Sequence, residues 1–196
     1  MSRPPTAARR PDARRPDARR PDPGVTLLDL LLGLLVAGLV FGLAVPAWTN
    51  AMARVRATAA RTAITTTLFD ALRNATVLGR EIVVCPAVGD QCIGGSDWSR
   101  GWIAFIDIDG DRRHGAEETV IDRAAALPRG VRLTGSPGRP RIVYQPNGGN
   151  AGSNLTFTLC DRRGPDDALA LILSNGGRLR AAPPARAAAA ACVAGL

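Results

Sequence analysis

Three features of this 196-residue chain predict an α+β fold in which one long N-terminal helix lies against antiparallel β-sheet. Val25 to Ala47 is an apolar run whose only charge is Asp29. The stretch that follows, to Leu78, keeps a helical spacing and is nearly free of Gly and Pro. Beyond Gly79 the pattern changes to short β-type runs separated by turn residues.

The head, 1–24, cannot contribute to a core. It carries seven Arg and three Asp, a net +4, in a repeat that sets Pro at every fifth position from Pro11 to Pro21. That spacing forbids a helix, and no apolar surface is present to bury. Residues 25–47 are long enough to cross a bilayer as a helix. Positive charge ahead of such a segment holds that side in the cytoplasm, so the body is expected outside. A carboxylate within an apolar span costs about 2.5–3.5 kcal/mol on insertion scales, which marks Asp29 as functional.

Residues 48–79 continue the helix as an amphipathic segment. Ile64, Leu68 and Leu72 recur at i+4 beside Ala60, Ala71 and Ala75, an apolar stripe suited to a sheet. Gly79 is placed to cap the helix.

Residues 80–180 form the β-rich domain. The expected strands are 81–85, 102–108, 119–122, 131–134, 142–145, 155–160, 168–174 and 178–180. Residues 181–196 are Ala- and Pro-rich and are expected to be poorly ordered except at Cys192.

Four cysteines in an exported domain point to disulfides. Of the three possible pairings, Cys85–Cys92 with Cys160–Cys192 is the most economical. The first would close a short loop, and the second would pin the tail. Their spacings do not resemble paired C-x-x-C knuckles, so no zinc site is expected.

The stretch Pro23-Gly24-Val25-Thr26-Leu27-Leu28-Asp29 resembles the class III signal of type IV pilins and pseudopilins. The resemblance implies cleavage after Gly24 by a prepilin peptidase and methylation of Val25. It implies that Asp29, fifth in the mature chain, meets the terminal amine of a neighbouring subunit. Pro46 falls at mature position 22, where pilins often carry a helix-kinking Pro. The chain departs from the family pattern by having Val25 in place of Phe and Asp29 in place of Glu.

The body narrows the resemblance. Val84-Cys85-Pro86, Cys92, Gly101-Trp102-Ile103-Ala104-Phe105-Ile106-Asp107, Leu159-Cys160 and Gly177-Arg178-Leu179-Arg180 are similar to the GspH/FimT group of minor pilins and pseudopilins. Membership implies a non-enzymatic filament subunit anchored in the inner membrane, with a periplasmic globular domain and other pilins as partners. In the FimT branch the G-R-x-R motif contacts DNA, which implies a double-stranded DNA partner for Gly177, Arg178 and Arg180. Period-two spacing sets the two arginines on one face, roughly 7 Å apart, where each can take a phosphate. Arg162, Arg163 and Arg186 are expected to widen this patch if the Cys160–Cys192 bridge brings the tail alongside. The alternative role in the group is the H-type minor pseudopilin of a type II secretion pseudopilus.

Other chemistry is weakly encoded. In Asp107-Ile108-Asp109-Gly110-Asp111 the glycine is misplaced for a calcium loop, and Arg112 and Arg113 oppose a cation, so an acidic hairpin turn is expected. His114 is the only histidine and reads as a solvated turn residue, with no catalytic role and no cofactor or metal. For Trp98 and Trp102 the expectation is one buried anchor and one partly exposed ring.

Overall fold

The computed structural model describes residues 24–152 and 154–196. The chain divides into two compact units, one ending at Gly42 and the other Leu43–Leu196. The cleaved-leader expectation for 1–24 therefore falls almost wholly outside the described residues.

Helix α1 runs Leu27–Leu78, with Pro46 inside it. It is long and apolar enough to cross a membrane, and the apolar side chains of its first half are exposed. The helix begins on a capping box. The Thr26 N–H donates to the Asp29 carboxylate at 3.1 Å, and the Asp29 N–H donates to the Thr26 hydroxyl oxygen at 3.2 Å. At the other end Gly79 is left-handed (φ 64°), and its N–H closes on the Ala75 carbonyl at 3.1 Å.

Within the second unit, two antiparallel sheets receive the later half of α1. The first is built from β1 (Glu81–Val88), β2 (Gln91–Cys92), β3 (Trp102–Asp107), β4 (Val120–Ala124) and β6 (Ile142–Tyr144), with β1 at its centre. The second has the order β5-β7-β8-β9, from β5 (Val131–Thr134), β7 (Leu155–Asp161), β8 (Leu169–Leu173) and β9 (Leu179–Ala182).

The i, i+4 stripe is the docking face. Ala57, Ala60, Ile64, Leu68, Ala71 and Ala75 join Trp102, Ile142 and Tyr144 of one sheet and Leu133, Phe157 and Leu173 of the other in a single core. Small side chains at four of the six helix positions let the backbone come close to the sheets, while Ile64 and Leu68 fill the gaps. Full burial of each of these two contributes about 1.5–3 kcal/mol. Strand β1 is buried on both faces, with Ile82 and Val84 toward α1 and Val83 and Cys85 toward a second, smaller cluster with Ile103 and Phe105. A strand of that kind reads as a continuous apolar run rather than an alternation.

One polar link fixes the helix to the first sheet. The buried Trp102 Nε1–H donates to the Thr67 hydroxyl oxygen at 3.0 Å, and that hydroxyl donates to the Asp122 carboxylate. Trp98 and Trp102 are both fully buried, so the expectation of a partly exposed ring is corrected. Trp98 sits edge-on to Phe157 at 5.0 Å, and both indoles join the core between the helix and the sheets.

The disulfides pair as Cys85–Cys92 and Cys160–Cys192, with Cα separations of 5.7 and 6.1 Å. The tail departs from expectation. Residues Arg186–Ala194 form helix α2, with Ala189 and Cys192 buried. Alanine has the strongest helix propensity, and one bridge supplies the anchor that a short helix otherwise lacks.

Candidate nucleic-acid interface

The G-R-x-R segment forms the corner and first residues of the β8–β9 hairpin. Ser174 N–H pairs with the Arg178 carbonyl at 2.9 Å, and Gly177 N–H closes the turn on the Ser174 carbonyl at 3.0 Å. The Ser174 hydroxyl accepts the Arg178 N–H at 3.2 Å. This is a short hairpin loop finished by a left-handed glycine, with Gly177 at φ 74°.

Gly177 is buried, and its role is steric. A Cβ there would stand 2.9 Å from the Gly148 carbonyl oxygen and 3.5 Å from Leu72 of α1. The Asn150 N–H also donates to the Asn175 carbonyl at 2.8 Å. Helix, neighbouring loop and hairpin tip are therefore locked together at this corner.

That lock presents the arginines. Arg178 immediately precedes β9 and Arg180 lies within it, at the sheet's edge. Both are exposed, and their period-two spacing sets them on one face. Leu179 between them packs on the core. Neither guanidinium takes part in an ion pair among the described residues. An adjacent pair of such guanidiniums on a rigid corner is suited to bridging successive phosphates of a nucleic-acid backbone.

The expected widening of the patch fails on register. Arg180 pairs with Ile172, which pairs with Thr156, whereas Arg162 follows β7 at its far end. The chain from Thr156 to Arg162 spans about 20 Å at the rise of a strand. Arg163 is also committed elsewhere. It grips the buried Asp161 at 2.7 Å and Asp167 at 2.7 Å, with only 12% of its side chain exposed. Hydrogen bonding to Asp161 raises its affinity for the proton still further. Arg186 opens α2 beside the Pro165–Asp167 turn, again at the far end. The Cys160–Cys192 bridge does bring the tail onto the sheet, but not to the G-R-x-R corner.

The acidic turn closes on itself. Carboxylate oxygens of Asp107, Asp109 and Glu118 lie within 4.8 Å of one another, closer than the sequence suggested. Yet Asp107 accepts the Gly110 and Arg112 N–H groups at 2.9 and 3.2 Å, and Glu118 accepts those of Ile108 and Gly115 at 2.9 and 2.8 Å. Burial pushes the Asp107 carboxyl above its ordinary value, opposed by the Gly110 hydrogen bond. His114 is not simply solvated. Its ring packs edge-on to Phe105 at 5.2 Å, with Nε2 at 3.3 Å from the Glu118 carbonyl.

Of the residues assigned to processing and assembly, Gly24 and Val25 precede α1, and Asp29 lies in its first turn. The sequence signal for the Thr26–Asp29 capping box is T-x-x-D ahead of an apolar run. In the single chain Asp29 thus caps its own helix, a role that the sequence-based expectations for it did not include.

Known proteins align with this fold. The family model for the type II transport protein GspH matches residues 49–177. The crystal structure of the type IV minor pilin FimU of Pseudomonas aeruginosa is similar at 16% identity, with a TM-score of 0.52 over 69% of this chain and 91% of that one. A second crystal form of FimU gives 17% identity and a TM-score of 0.50, covering 66% and 92%. The minor pseudopilin EpsH from the type 2 secretion system of Vibrio cholerae gives 15% identity and a TM-score of 0.46, covering 67% and 97%. The search of curated proteins gave no match. With two thirds of its length matched by the family model, the chain belongs to the GspH family of type II transport proteins and has the family's pilin-like α+β fold.

Proposed function

We propose that this protein is a minor type IV pilin of FimT type. It is held in the inner membrane by α1 with its globular domain in the periplasm, is cleaved after Gly24 by a prepilin peptidase, and assembles into a pilus with other pilins. There it binds double-stranded DNA without sequence preference during uptake. The role is structural and binding, not catalytic. The observation that carries the DNA reading is the pair Arg178 and Arg180, exposed and without ion pairs among the described residues, on a corner fixed by Gly177. Phosphate contacts carry no base information, so binding is non-specific. With few contacts, affinity falls in the non-specific range of roughly 10⁻⁴–10⁻⁶ M. Several subunits engaging one strand make weak contacts sufficient.

The description of the matching family favours a second reading, an H-type minor pseudopilin at the tip of a type II secretion pseudopilus. Titrating the detergent-solubilised full chain with labelled duplex DNA separates the two. Salt-sensitive binding supports the pilin; no binding even at low salt supports the pseudopilin.

A further inference from the structure

A second basic site lies at the opposite end of the second sheet from the G-R-x-R corner. Three elements meet there around a cavity of about 360 Å³: the helix from Trp48 to Arg56, the approach to β5 at Arg129 and Gly130, and the turn after β7 at Arg162. Three arginines line it, no carboxylate side chain does, and none of the three is in an ion pair among the described residues. Arg162 is exposed. Its side chain lies flat against Gly130, where a Cβ would come within 2.6 Å of Nε and 2.9 Å of Cδ. Gly130 is left-handed, at φ 85°, a conformation that favours glycine, while the flexible Arg162 side chain could move aside from a Cβ.

The site adjoins the end of the apolar run. Trp48 follows directly on the last residue of the apolar run, is 67% exposed, and lines the same cavity. Trp at the end of a membrane-spanning stretch sits at headgroup level. Trp48, Met52 and Arg56 recur at i+4 on one helix face, and helical side chains lean toward the N-terminus, so Arg56 reaches back toward Trp48. From Trp48 to Arg56 the axis rises about 12 Å, which the Arg56 side chain shortens to the depth of a headgroup layer.

We propose that Arg56, Arg129 and Arg162 form a binding site for the phosphate of an anionic phospholipid headgroup, with Trp48 against the glycerol and upper acyl region. The site seats the globular domain on the outer leaflet of the inner membrane before the subunit leaves the bilayer. A surface arginine near anionic lipid contributes about a fivefold gain in association, and a pair about 25-fold. The inference rests on the membrane-anchored reading above.

The test is native mass spectrometry of the full chain, released from mixed phosphatidylcholine and phosphatidylglycerol nanodiscs. The parent protein is expected to retain phosphatidylglycerol in preference to phosphatidylcholine. R129Q/R162Q should lower that preference about 25-fold, R129Q alone about fivefold, and R178Q/R180Q not at all. Circular dichroism confirms that each variant is folded, as expected for exposed side chains outside any ion pair among the described residues. Equal retention of the two lipids by the parent, or unchanged retention by R129Q/R162Q, overturns the proposal. So does displacement of the lipid by millimolar inorganic phosphate, which would make the site one for free phosphate. Loss of duplex-DNA binding in R129Q/R162Q with full binding in R178Q/R180Q would reassign the patch to DNA. Carbonate extraction of the chain from the nanodisc lipid would instead overturn the membrane-anchored reading itself.

Discussion

Replacing Gly177 with alanine tests whether the G-R-x-R corner is rigid by construction. Two costs add. The residue sits at φ 74°, and a left-handed conformation costs a residue with a Cβ about 1–2 kcal/mol. The new methyl would also stand 2.9 Å from the Gly148 carbonyl oxygen, a backbone atom that cannot swing aside. Moving that loop disturbs the Asn150–Asn175 hydrogen bond and adds about 1 kcal/mol. The total is about 2–3 kcal/mol, or about 4–12 °C in Tm for a domain of this size. Gly176 is the control. It has no atom within 4 Å of its would-be Cβ and no positive φ, so Gly176→Ala should be neutral or stabilise by about 0.4–1 kcal/mol. Both are read by thermal unfolding of the full chain in detergent. Equal melting of Gly177→Ala and Gly176→Ala would mean that the corner is not held by Gly177.

Three further outcomes follow from the same structure. Thr67→Val strands the buried Trp102 indole N–H and should cost about 1–3 kcal/mol, seen in thermal melts; a neutral result would mean that the helix–sheet link carries no weight. Cys192→Ser opens a loop spanning 32 residues and should cost about 3–4 kcal/mol and release α2, with peptide mapping without reduction confirming the parent pairing; four free thiols in exported protein would contradict it. Mass spectrometry of membrane-extracted protein should find an N-methylated Val25; a mature chain retaining Arg3 would exclude peptidase cleavage after Gly24.

The parts legible in the sequence are those set by local pattern. The i+4 stripe at Ile64 and Leu68 placed the helix face, and the β-type run at 155–160 placed β7. Chain proximity was enough to pair Cys85 with Cys92. Residues whose environment depends on register were not legible. Nothing local says that Arg162 and Arg180 stand at opposite ends of the second sheet, because that follows from the pairing of β7 with β8 and β8 with β9. By residue type Arg163 is indistinguishable from its neighbour Arg162; only the inward-facing Asp161 at the end of β7 sets it apart. The prolines of the tail suggest an unstructured segment and its alanine run a helix, and an isolated nine-residue helix is marginal without the anchor at Cys192.

DNA binding by this protein rests on Arg178 and Arg180. The direct measurement is fluorescence anisotropy of the full chain with duplex DNA across a salt series, for parent and R178Q/R180Q. The parent should bind weakly and without sequence preference, and the slope of log affinity against log salt should be flatter by about 1.8 in the double variant, about 0.9 for each phosphate that is no longer neutralised. An unchanged slope in the double variant, or no binding by the parent at about 50 mM salt, would contradict it.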